Sequence, residues 1–215
     1  MPFSPPWNVT AAHIQAGIDR PPWLEWKDFQ RLLKRKAALD ESKDILPFFK
    51  SRQNLSLFLA TYFPMIRNAD LYAHEYPIYG DFKADLVVGD SSMHSYMLVE
   101  FENASSDSIF KKRRSKATPE WASRFEYAFS QIVDWLWKLD DMRSTADFAH
   151  AFGDRNAKFQ GIIVIGKDMR LDVQEESRLK WRIDKVIVNS NFVTCVSFNE
   201  LLSDLNFRLT NYYRV

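Results

Sequence analysis

The run Ser95-Tyr96-Met97-Leu98-Val99-Glu100-Phe101-Glu102 constrains this chain more than any other stretch. Its centre is apolar on consecutive rather than alternate positions, the pattern of a strand covered on both faces. Such a strand needs a layer of helices on each side. Phe159 to Gly166 is a second buried strand and Phe192 to Phe198 a final one. Tyr72 to Tyr79 and Asp81 to Gly89 predict two further strands, joined at Gly80-Asp81 by a tight turn.

Helical patterns fill the gaps. Trp121, Phe125, Ala128, Ile132, Trp135 and Leu139 recur at alternating spacings of four and three, the signature of an amphipathic helix. Thr118-Pro119 predicts its start, with Thr as N-cap and Pro at the first helical position. Trp23 to Leu39 and roughly Asp44 to Tyr62 predict two earlier helices, Glu175 to Ile187 a later one, and Phe198 to Leu205 a closing one. The order of helix, three strands, helix, strand, helix and strand predicts an α/β fold. Its mixed central sheet is flanked by helices, with an antiparallel meander first and right-handed crossovers after it. An N-terminal helical extension precedes this unit. Residues 1–43 read as a Pro/Trp-rich arm and helix, and residues 44–215 as the α/β domain.

Composition bounds the function. With 46% hydrophobic residues, seven Trp and seventeen Phe, the chain has material for a core. A net charge of +1 means that a nucleic-acid partner would have to be held by a local basic patch. The densest basic run is Lys111, Lys112, Arg113, Arg114 and Lys116, a candidate loop for tracking a phosphate backbone. The single Cys195 excludes an internal disulfide framework and sits in an apolar run, as a buried inert thiol would. No apolar run approaches the roughly 20 residues needed to cross a bilayer, so no membrane partner is expected and the chain reads as cytoplasmic. P-loop, dinucleotide-binding and nucleophile-elbow motifs are absent, and the histidines lack zinc-site spacing. The Pro-rich start carries Pro5-Pro6-Trp7 and Pro21-Pro22-Trp23, an extended arm expected to pack on its own domain or on a partner, including a second copy in a homo-oligomer.

The acidic residues carry the chemistry. Glu100 and Glu102, two apart on a strand, project from one face near its C-terminal end. Asp85, on the preceding strand, can be brought beside them by strand pairing. Three carboxylates converging in a half-buried place repel one another, and a divalent cation relieves that repulsion. Such an ion also polarises a phosphodiester and activates water.

The ordered set of Asp85, then Leu98-Val99-Glu100-Phe101-Glu102, then a helix carrying Gln131 resembles the PD-(D/E)XK nuclease superfamily, and more narrowly the Shedu-type anti-phage defence nucleases. The resemblance extends to Asp81-Phe82-Lys83-Ala84-Asp85-Leu86, to Phe159–Gly166, to Arg178 and Arg182 on the following helix, and to Ser197–Leu202. It implies a restriction-endonuclease-like sheet and a Mg2+ or Mn2+ ion held by Asp85 and Glu100, with Glu102, in the place usually held by Lys, able to serve as a further metal ligand. Gln131 would support the site, and DNA would be the substrate. It also implies an acidic residue from the first helix. The sequence offers no clear one there, and Glu75 is the nearest. Position 102 departs from the pattern, since it is usually Lys. That departure keeps open a catalytically weak nucleic-acid-binding or sensing module, and the Trp-bearing arm keeps open an oligomeric scaffold.

Overall fold

The computed structural model describes residues 5–9, 21–111 and 118–212. After a two-residue strand β1 (Asn8–Val9) come α1 (Pro22–Arg35), a π-helical turn (Glu41–Ile45), α2 (Leu46–Lys50), α3 (Gln53–Phe58) and a 3-10 turn (Leu59–Tyr62). The meander β2 (Leu71–Ile78), β3 (Phe82–Asp90) and β4 (Ser95–Phe101) follows. A small hairpin of β5 (Phe110–Lys111) and β6 (Glu120–Trp121) leads into α4 (Ser123–Met142) and α5 (Ala146–Phe152). The rest is β7 (Lys158–Val164), α6 (Val173–Lys185), the hairpin β8 (Ile187–Val188) and β9 (Asn191–Phe192), β10 (Thr194–Val196) and α7 (Phe198–Tyr212). The main sheet runs β1-β2-β3-β4-β7-β10, antiparallel through β4 and parallel from there on. This is the mixed, helix-flanked sheet expected from the pattern of buried strands.

All seven residues of β4 are buried, because helices cover both faces. Tyr96 and Leu98 join the core under α4 and α5, while Met97, Val99 and Phe101 join the core under α1, α2, α3 and α7. Alternation therefore assigns Glu100 and Glu102 to the α4 side. Helix α4 sits very close to β7. A Cβ on Gly161 would lie 2.2 Å from Cγ2 of Ile132. Gly161→Ala is expected to push the helix outward and cost about 1–3 kcal/mol, as overpacked cores do. Urea unfolding checks this, and an unchanged midpoint would refute the close approach.

Three local expectations are corrected. The helix expected over Asp44–Tyr62 is broken at Arg52, which is extended, and restarts at Gln53. The break is stabilised from outside: buried Glu25 of α1 accepts from the backbone N–H of Leu55 at 3.0 Å and from the Asn54 amide at 2.8 Å. The helix expected at Thr118-Pro119 begins instead at Ser123. Glu120–Trp121 is drawn into the small hairpin, where Trp121 stacks on Phe110 at 4.4 Å. Helix α1 ends at Arg35, and Leu39 is buried by a bridge to Ala104 rather than by helical packing.

Within the arm, Trp7 packs on its own domain. Its ring lies 4.7 Å from that of Tyr76 and 5.6 Å from that of Tyr96, and its indole N–H donates to Ala151 O at 3.0 Å. Trp23 packs against the α1-side core.

Candidate active site

The site forms where two strands part. The ladder between β3 and β4 pairs Val87 with Leu98 and Leu86 with Val99, and the next step would set Asp85 opposite Glu100. That pair is not made. Instead the Asp85 carboxylate takes the place of a strand partner, accepting from the N–H of Phe101 at 2.9 Å. Since Phe101 lies between Glu100 and Glu102, this contact brings Asp85 to both glutamates. Strand β2 is irregular at the same level. Glu75, opposite Asp85 in register, has a left-handed backbone (φ +52°) that is uncommon for a residue with a side chain. Face alternation fails at this point in both strands: Ala73 and Tyr76, three apart, enter the same core, as do Ala84 and Val87.

Helix α4 supplies the polar lid. Gln131 donates its amide N–H to Oε1 of Glu100, and Arg124, seven residues earlier on the same face, donates to Oε2 of Glu102 at 3.1 Å. Glu100 and Glu102 are almost fully buried, at 4% and 3% exposure. Asp85, Glu100, Glu102 and Gln131, singled out in sequence, are thus brought together.

Sequence reasoning missed Glu41. It lies on the π-helical turn, half-buried, with its backbone N–H on Oδ1 of Asn103 at 2.9 Å. Burial first, then the charges of Glu102 and Asp85, push its carboxyl up to about 7. It is an acidic residue of the N-terminal helices that stands within electrostatic reach of Glu102 and Asp85. Glu75, the nearest candidate in sequence, is exposed, bridged to Lys50 at 2.5 Å and Lys83 at 2.9 Å, and held down at about 2 by those two ammonium groups. A signal for Glu41 was present in Asp40, whose side chain caps the turn by accepting from the N–H of Lys43. The apolar periodicity, which starts at Ile45, drew the helix start past it.

The electrostatics share one cause. Burial raises Glu100 strongly, and the charges of Asp85, Glu102 and Glu41 add to it. Burial also raises Asp85, against the hydrogen bond from Phe101 and with the charge of Glu102. Glu102 is raised by burial, and Arg124 offsets part of the shift. Carboxylates in this state favour a proton or a cation.

Among the described residues no three His, Cys, Asp or Glu side chains are arranged so that together they could hold a metal ion, the Asp85, Glu100 and Glu102 set included. The two glutamates are each turned onto a donor of α4. Mg2+ asks less than a cage: one or two carboxylates, with water and substrate phosphate oxygens completing its shell. Asp85 and Glu100, hard oxygen donors close enough to act on each other electrostatically, fit that demand in their chemistry.

The other residues marked in sequence serve structure or fall elsewhere. Arg182 makes a bidentate pair with Glu126 at 2.6 and 2.9 Å, and Arg178 donates to Pro119 O at 2.6 Å, pinning α6 to the start of α4. Lys111 is exposed on β5, in register with Glu120. Lys112, Arg113, Arg114 and Lys116 lie outside the described residues. Cys195, its thiol pushed by burial up to about 12, is poorly suited to act as a nucleophile. No described helix is long and apolar enough to cross a membrane.

Residues 38–202 match the family model described as Shedu protein SduA, C-terminal. No curated protein matches the chain.

Proposed function

The chain belongs to the family of Shedu protein SduA C-terminal domains, a Shedu-type anti-phage domain, and on that premise we propose that it is a Mg2+- or Mn2+-dependent DNA endonuclease-like protein of PD-(D/E)XK type. The observation that carries this reading is the parting of β3 from β4 beyond Leu86 and Val99, where the Asp85 carboxylate takes the N–H of Phe101, between Glu100 and Glu102, and the charges of Asp85, Glu102 and Glu41 all act on Glu100.

Asp85 and Glu100 are the residues that would hold the ion. When bound, the ion supplies a Lewis acid for the phosphodiester and makes water more acidic. Gln131 fixes the rotamer of Glu100 through its amide N–H. Hydrolysis joins the oxygen of water to phosphorus and breaks one P–O ester bond, leaving a phosphate monoester and a free hydroxyl. The proton of the attacking water goes to a nearby carboxylate, and the leaving oxygen takes a proton from solvent. Glu41, titrating at about 7, is matched to that task at neutral pH.

A second reading rests on position 102. Its carboxylate is engaged by Arg124, and no lysine stands there. A domain so built can bind nucleic acid as a sensing module and cut weakly. Incubation with supercoiled and linear DNA plus Mg2+ or Mn2+ separates the two. Cutting that disappears in both Asp85→Ala and Glu100→Ala supports the nuclease. Binding without cutting under every metal supports the module.

A further inference from the structure

We propose that Arg124 is a phosphate-binding residue of the cleft and that Glu102 acts as its positioning residue rather than as a metal ligand. The inference rests on the nuclease reading and names a substrate contact within that site.

Glu102 is 3% exposed, yet its Oε2 is occupied by Arg124 at 3.1 Å and by the N–H of Asn103 at 3.4 Å. Arg124 lies in the first turn of α4, and its side chain is 52% exposed. A pair that is open on the arginine side contributes little to stability, because solvent screens it. Burying a carboxylate for so small a return makes sense if the return is geometric: the acid fixes where the guanidinium stands. A guanidinium carries five N–H donors in a rigid fork. Contact through one N–H with one oxygen of Glu102, on a side chain that is half exposed, leaves the rest of the fork open to a further acceptor.

The position of that fork matters because the cleft is acidic. Asp85, Glu100, Glu102 and Glu41 act on one another electrostatically, and a DNA phosphate approaching them meets four carboxyl groups. Arg124 acts on Glu41 as well as on Glu102, which puts its charge within reach of both. Lys83, the cation acting on Asp85, is bridged to Glu75. Among the described residues Arg124 is therefore the cation best placed to receive a phosphate, and its planar fork matches two phosphate oxygens as an ammonium group cannot.

The test uses the full chain with Arg124→Ala, Arg124→Lys, Glu102→Gln and the double variant Glu102→Gln/Arg124→Ala, the last leaving no buried acid without its partner. Duplex binding in EDTA is measured across salt concentrations, Mn2+ affinity by calorimetry, and cutting under single turnover. Loss of one phosphate contact should reduce the slope of log K against log salt by about 0.9 in Arg124→Ala. Cutting should fall on the order of 10²-fold. Lys should restore the slope but not the rate. Glu102→Gln should follow Arg124→Ala, the double variant should be no worse than either single one, and Mn2+ affinity should stay unchanged throughout. An unaltered salt slope in a folded Arg124→Ala protein overturns the proposal. So does a loss of Mn2+ affinity of about tenfold or more in Glu102→Gln alone. If the wild type binds DNA without cutting, the nuclease reading fails while the salt slope still decides the role of Arg124. If it does not bind DNA, both fall.

Discussion

Glu100→Gln is expected to end metal binding and DNA cutting while leaving the metal-free fold at least as stable as before at pH 8. The amide keeps an Oε1 for Gln131 to donate to, so the side chain stays where it is. What changes is charge. Burial and three acidic neighbours raise the Glu100 carboxyl well above its ordinary value near 4.5. A group raised on folding contributes stability that is complete below its unfolded pKa and is lost as pH rises through the folded one. Gln cannot ionise, so the variant escapes that loss. Cutting should fall by about 10²–10³-fold or more, the scale on which a water-excluded site loses one charge-handling group. Plasmid cleavage, Mn2+ calorimetry and thermal unfolding at pH 8 read the three parts. Wild-type cutting by Glu100→Gln would be fatal to the metal assignment. A melting temperature several degrees lower would contradict the electrostatic account.

A divalent cation should raise the melting temperature far more at pH 8 than at pH 6.5. Glu41 titrates at about 7 in the fold and near 4.5 when unfolded, so the metal-free protein loses stability as pH rises through 7. Asp85 and Glu100, also raised, act in the same direction. His74 works the other way. Burial, with Lys50 beside it, lowers its pKa to about 4, so its contribution is whole above pH 6.5 and fades only as pH falls toward 4. Between pH 6.5 and 8 His74 stays neutral and the carboxylates set the slope. Mg2+ or Mn2+ at about 100 times its Kd adds roughly 2.7 kcal/mol, or roughly 5–10 °C for a domain of this size. Glu41→Gln should flatten the metal-free slope. Should saturating Mn2+ leave the melting curve unmoved at pH 8, the cleft does not hold a cation.

Much of this site is legible in the sequence. The consecutive apolar positions of Met97 to Val99 require helices on both sides, and the i, i+2 spacing of Glu100 and Glu102 sets them on one face. The regular recurrence from Phe125 to Leu139 marks a helix with Gln131 and Arg124 on its polar edge, and that edge meets the two glutamates. What could not be read were events in which a distant residue replaces a local rule. Glu25 restarts a helix thirty residues away by accepting from Leu55. The Phe110–Trp121 stack outcompetes a good N-cap at Thr118. Glu41 carries no periodic signal, because a π-helical turn places it.

The sequence by itself determined the layers, the strand order through the meander, and which acids lie within two residues of each other on one strand, since side-chain alternation and apolar burial depend only on near neighbours. Only the tertiary structure decided that β3 leaves β4 at Asp85, that Glu41 joins the cleft and Glu75 does not, and that Arg124 closes on Glu102. Those outcomes depend on where separate elements come to rest against one another. Packing and long-range charge settle that, and neither is written in local spacing.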